Sequence, residues 1–241
     1  MGRITEAIKH LIIINIIFFA VPQMMKLDIA QYLALYFPKN ESFGLWQYVS
    51  HMFMHGSFMH IAFNMYALWA FGTPLEQMWG KNKFLFFYFS AGLGAGIIYT
   101  LVNYYQFNSV YDQLINMGIT SSEIQAILDT GSYNDAIISL SNKEMSEFYS
   151  LYHTPAVGAS GAVYGILVAF GMTFPNAKLA LIFFPVPIAA KYFIPVMLLG
   201  DLFFGVTKYS IGNVAHFAHI GGAIIGFIIA WYWKKNQFRM Q

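Results

Sequence analysis

The residues of this chain best suited to chemistry are a serine, two histidines and an asparagine, all set in apolar sequence. Ser160 lies in Gly158-Ala159-Ser160-Gly161, His219 in Ala218-His219-Ile220-Gly221-Gly222, and the others in His60-Ile61-Ala62-Phe63-Asn64. A serine hydroxyl becomes a nucleophile when a base within hydrogen-bond reach takes its proton, and neutral imidazole is the usual base near pH 7. Backbone N–H, amide and imidazole groups are the donors that stabilise a developing oxyanion. The set suits acyl transfer, with Ser160 as nucleophile, His219 as base, and the Ser160 N–H, His60 and Asn64 facing the oxyanion. Asp201 is the one acid well inside a later apolar run, and no motif ties it to His219, so a Ser-His dyad is expected rather than a triad.

Other chemistries drop out. The chain has no cysteine, which removes thiol catalysis and thiolate metal sites. His51 and His55 stand at i, i+4, and His216 and His219 at i, i+3, but no HExxH occurs and no carboxylate accompanies either pair. No metal and no cofactor are expected, and His51, His55 and His216 are read as structural.

The elements that position these groups follow from charge. The 241 residues are 58% hydrophobic and 10% charged, with a net charge of +2, where soluble domains carry about 25% charged residues. That excludes an ordinary soluble enzyme and a disordered chain, and leaves no electrostatic footprint for nucleic acid. Uncharged gaps cover 10–25, 42–75, 84–111, 148–177 and 209–233. A spanning helix needs about 20 mostly apolar residues. The five gaps together with the region 179–206 give six expected spans, over 7–23, 58–78, 84–104, 160–174, 189–206 and 214–233. The run from Leu11 to Val21 has no small-x-small cleavage site after it and reads as a retained first span rather than a signal peptide. With the N-terminus inside, Arg3, Lys9, Lys81, Lys83, Lys178, Lys234, Lys235 and Arg239 are cytoplasmic, whereas Lys26, Lys39, Lys143 and Lys208 are outside. The positive-inside rule therefore places both termini in the cytoplasm.

Depth can be counted from those edges. A helix starting at Ser160 runs about 15 residues to Pro175, roughly 22 Å, in a hydrocarbon core of about 30 Å. Ser160 thus sits below the outer surface, where Gly158 and Gly161 let the backbone fold into the membrane. His219 lies about 15 residues before Lys234, which puts it at the same depth, and Asn64 is at a similar level about 17 residues before Lys81. The pairs Gly161/Gly165 and Gly222/Gly226 permit close approach of spans four and six. Glu76, near a helix end beside Gly80, is expected to hydrogen-bond a neighbouring loop.

Two outer segments are more than connectors. Residues 24–57 are amphipathic and expected at the interface. Residues 105–151 form a polar insertion, with capping boxes at Thr120/Glu123 and Ser141/Glu144 and a stop at Gly131, which predicts a small helical cap on the outer face.

The four motifs, in order, resemble those of the rhomboid intramembrane serine proteases: His60 to Asn64, then Gly72 with Glu76 and Gly80, then Gly158 to Gly161, then Ala218 to Gly222. The resemblance covers nearly the whole chain, so the expected architecture is an all-α polytopic membrane protein, a single six-span rhomboid domain over 1–241 carrying the 105–151 insertion. It implies hydrolysis of peptide bonds in or beside transmembrane helices of membrane-protein substrates, with Tyr164 supporting the His219 ring. It also implies lateral substrate entry between spans two and five and a cap over the site at 205–213. The implied partners are transmembrane protein substrates and the lipid bilayer, with no nucleic acid, and the expected location is a bacterial plasma membrane with the site opening outward. The rival is a rhomboid-like protein that binds membrane helices without cleaving them; such a protein is expected to lack the serine or the histidine, and both are present. Relatives often carry Trp-Arg in the first outer loop, where this chain has Trp46-Gln47.

Overall fold

The computed structural model describes residues 3–134, 138–181, 184–207 and 215–236. Helices occupy all six stretches expected to be helical: α1 (Glu6–Met25), α4 (Phe58–Trp79), α5 (Lys81–Asn116), α8 (Ser160–Thr173), α9 (Ala190–Val206) and α10 (His216–Asn236). Short helices α2 (Ala30–Leu33) and α3 (Gln47–Ser50), followed by a 3-10 turn at His51–Phe53, lie between α1 and α4, and α6 (Ser121–Thr130) and α7 (Asn142–His153) follow α5. Among the described residues, α1, α5 and α10 are long and apolar enough to cross a membrane, and α8 is a shorter apolar helix.

Helix α8 is the centre of the bundle. Its residues Gly161, Ala162, Val163 and Gly165 to Phe170 are buried, as expected of a helix apolar on every side and packed against α4, α5, α9 and α10. Small residues make this possible. A Cβ at Gly222 would lie 1.9 Å from the Gly161 carbonyl oxygen, and one at Gly226 would lie 2.5 Å from Gly165 Cα. Toward α5, a Cβ at Gly161 would meet Ala95 Cβ at 2.5 Å. Gly222→Ala therefore forces α10 off α8 against backbone that cannot move aside, and is expected to destabilise the protein by about 3 kcal/mol. Equilibrium unfolding in detergent checks this; a change below about 0.5 kcal/mol would mean the helices separate freely.

The N-terminus of α1 is capped from a distant helix. Glu76, buried in the last turn of α4, accepts from Ala7 N–H at 2.8 Å, Ile8 N–H at 3.0 Å and the Thr5 hydroxyl at 2.5 Å. The first N–H groups of a helix have no partner within it, and a carboxylate also complements the helix dipole there. Glu76 thus serves a helix end rather than the loop expected of it. Glu76→Ala leaves three donors unpaired and is expected to cost about 3 kcal/mol, with Glu76→Gln costing less because its amide oxygen still accepts. A thermal melt in detergent that is unchanged by the alanine variant would contradict this.

Two details differ from expectation. Helix α5 continues past 104 to Asn116 because Phe107 and Leu114 are buried in a second core with Phe37, Ile124, Leu128, Met145, Phe148 and Tyr152. Phe107 and Phe148 stack at 4.6 Å. Asp112, Glu123, Asp129, Glu144 and Glu147 are exposed over this core, both capping boxes form, and Gly131 ends α6 with φ 69°. Second, the fold is nearly all-α rather than all-α. Strands β1 (Lys178–Leu181) and β2 (Phe184–Ala189) pair antiparallel, with Lys178 opposite Ala189. Prolines at 185 and 187 keep this apolar run out of a helix. The expected cap at 205–213 lies outside the described residues over 208–213.

Candidate active site

Delivery of Ser160 begins in the segment between α1 and α4. Leu35 and Ala156 exchange backbone hydrogen bonds of 2.9 Å, and Gly158 N–H donates to the His51 carbonyl at 2.9 Å. His51 is itself fixed, its Nδ1 donating to the Gln47 carbonyl at 2.7 Å, and burial pushes its pKa down to about 4, so the ring is neutral at pH 7. Gln47 is buried and binds the loop without a charge. Its side chain accepts from Tyr36 N–H at 3.1 Å and donates to the carbonyls of Ser42 at 2.7 Å and Tyr32 at 3.3 Å. A neutral amide thus does the anchoring at a position where an arginine is common in the resembled family.

Gly158 then turns the chain with φ 124°, a conformation that side chains disfavour, and a Cβ there would meet His60 Nε2 at 2.7 Å. Ser160 follows as the first residue of α8, at a helix end that no side chain caps. Its backbone N–H is among those without an intrahelical acceptor.

His219 comes to Ser160 from the first turn of α10. Its Nε2 is 2.9 Å from Ser160 Oγ. The Tyr164 ring, one turn along α8, stacks on the imidazole at 4.1 Å with an interplanar angle of 11°. From α9, Asp201 Oδ1 lies 3.2 Å from His219 Nδ1 and 2.6 Å from His216 Nδ1, while Oδ2 accepts from the Tyr164 hydroxyl. Carboxylate oxygens only accept, so the His219 ring proton sits on Nδ1, and the Nε2 lone pair faces the serine hydroxyl. Ser160, His219 and Asp201 are therefore in series.

No motif ties Asp201 to His219, yet the structure brings the two side chains within 3.2 Å. The signal was available in the depth count: Asp201 is about five residues, roughly 7.5 Å, below the outer end of its span, nearly level with Ser160. His216, expected to be structural, is a buried second donor to the same carboxylate.

His60 and Asn64 lie on α4, which starts at the Ser57 cap. The position a Gly158 Cβ would take is 2.7 Å from His60 Nε2 and 3.6 Å from Ser160 Oγ, so imidazole and hydroxyl border one small volume. Asn64 is buried, and its Nδ2 donates to the His60 carbonyl at 2.9 Å, within its own helix. One hydrogen of that amide is thereby engaged within α4. His55 meets His60 edge-on at 4.9 Å.

Fold and site together define a bundle of apolar helices enclosing a serine, a histidine and an aspartate in hydrogen-bond series. The rhomboid domain profile matches residues 42–236, and the chain belongs to the rhomboid family. It is 29% identical over 196 residues to the mitochondrial Rhomboid protein 1 of Saccharomyces cerevisiae, covering 78% of this chain and 43% of that protein. It is 30% identical over 202 residues to the mitochondrial Presenilin-associated rhomboid-like protein of Rattus norvegicus, covering 77% and 38%. With the Rhomboid protease AarA of Providencia stuartii it shares 27% identity over 198 residues, covering 77% and 54%. The chain thus spans between 38% and 54% of the length of these relatives. Family and apolar helices make it an integral membrane protein, and its relatives are mitochondrial as well as bacterial.

Proposed function

We propose that this protein is an intramembrane serine endopeptidase that cleaves peptide bonds in or next to the transmembrane helices of membrane-protein substrates. The observation that carries the reading is the series Ser160 Oγ, His219 Nε2, His219 Nδ1, Asp201 Oδ1 at the uncapped start of α8. In the proposed reaction His219 takes the Ser160 proton as Oγ attacks the scissile carbonyl, and Asp201 stabilises the imidazolium that forms. The oxyanion enters the volume beside Gly158, facing the Ser160 N–H and His60, with Asn64 joining through its amide. His219 then returns the proton to the leaving amine, and a water repeats the sequence to release the acyl group. Tyr164 keeps the imidazole in plane throughout.

In this reading the domain is a single unit over 1–241 in which α1, α4, α5, α8, α9 and α10 are the six spans, both termini are cytoplasmic, and 105–151 is an outer insertion. The site opens outward, and substrate enters between α4 and α9. The exposed apolar side chains of α9, among them Tyr192, Val196, Leu199 and Phe203, support a lipid-facing gate there. A bacterial plasma membrane is the proposed location. The test is reconstitution in liposomes with a tagged single-span substrate. Cleavage by the wild-type protein and none by Ser160→Ala is expected; binding of several substrates with no cleavage of any would favour the non-cleaving rhomboid-like alternative.

A further inference from the structure

We infer that Asp201, His216 and His219 form a binding site for a zinc-type divalent cation, and that its occupation switches the proposed hydrolase off. The switch rests on the reading of His219 as general base; the metal site does not. One ligand atom from each of the three residues lies within 4.8 Å of the other two. Sequence gave no reason to expect this, because the carboxylate that the histidine pair lacks arrives from a different helix, α9.

Donor type suits zinc, as do the two nitrogen–oxygen spacings, while the two imidazole nitrogens, up to 4.8 Å apart, have to close by at most about 1.5 Å. Two imidazoles and one carboxylate are a common three-residue zinc set that leaves a fourth position open, whereas magnesium and calcium prefer all-oxygen shells. With bonds of about 2.0 to 2.1 Å in a tetrahedral array, ligand atoms stand roughly 3.3 Å apart. His219 Nδ1 is already 3.2 Å from Asp201 Oδ1, and His216 Nδ1, at 2.6 Å, needs to withdraw by less than about 1 Å. Asp201 and His216 are buried, at 8% and 9% exposure, and the Tyr164 hydroxyl on Oδ2 steadies the carboxylate as an outer partner.

The consequence for the base is a change of tautomer. A cation takes the Nδ1 lone pair of each neutral ring, and the proton each ring carried on Nδ1 moves to Nε2. No electron is transferred and no proton is lost. His219 then presents Ser160 with an N–H where the unloaded protein presents a lone pair, so nothing accepts the serine proton. On His216 the arriving proton displaces no partner, since its Nε2 is buried with none among the described residues.

The test uses purified protein in liposomes with free zinc set by a chelating buffer. Equilibrium dialysis should find one zinc on the wild-type protein and on Ser160→Ala, with affinity at least about tenfold weaker in both His216→Ala and His216→Gln. Cleavage should fall about elevenfold when free zinc is ten times its Kd, recover on adding EDTA, and ignore magnesium. No zinc retained by the wild-type protein, or zinc retained equally by both His216 variants, would overturn the site. Zinc bound at the site with cleavage unchanged would overturn the switch. Zinc bound at the site of a protein that cleaves nothing even when stripped of metal would support the site and overturn the hydrolase reading.

Discussion

Ser160→Ala and His219→Ala are each expected to lower cleavage of a membrane-embedded substrate by about 10⁵-fold or more, and the double variant to lose no more than either alone. The non-additivity follows from the geometry. With Nε2 2.9 Å from Oγ, the two side chains perform one proton transfer, and removing either removes the whole step. What survives is whatever the Ser160 N–H, His60 and Asn64 do for an attacking water, the same in all three variants. Rates measured with one substrate in vesicles of one composition decide the matter. Losses that multiply in the double variant would mean that the residues act in separate steps.

Asp201→Asn is expected to lower kcat by about 10³-fold with KM little changed, because Asp201 acts on His219 rather than on substrate. Three donors converge on this carboxylate: the Tyr164 hydroxyl, His216 Nδ1 and His219 Nδ1. An amide has one oxygen, so at least one donor would face an NH₂ group. If His219 turns its proton to Nε2 in response, its lone pair no longer faces Ser160. The loss is set below that of the dyad residues because Tyr164, stacked at 4.1 Å, still holds the ring. A loss under about tenfold would make the 3.2 Å contact incidental and leave the dyad sufficient.

The parts of this fold legible in the sequence are those that depend on local composition. Uncharged gaps marked the helices because a helix among apolar neighbours needs no solvating residue, and the capping boxes at Thr120 and Ser141 are contained in four residues each. The meeting of Ser160 and His219 was legible because rise per residue is constant, so position from a charged edge becomes depth. What escaped depends on partners far along the chain. Glu76 caps a helix about 70 residues away, and its type alone does not say which donors it meets. No motif names the partners of Asp201, because they lie on α8 and α10, although the depth count applied to α9 would have placed it level with them. The extension of α5 was hidden because Phe107 and Leu114 sit among polar residues and are buried only once α7 folds over them. The β1–β2 hairpin was hidden for the opposite reason: its apolar composition matches that of a span, and only the prolines distinguish it.

The proposed reaction depends on activation of the Ser160 hydroxyl by His219. Its most direct test is covalent: treat the reconstituted protein with a fluorophosphonate and map the phosphonyl adduct by mass spectrometry. A single adduct on Ser160, lost in His219→Ala while that variant keeps its fold, is the predicted result. Substrate cleavage by a protein whose Ser160 takes no adduct, or equal labelling of Ser160 with and without His219, would contradict it.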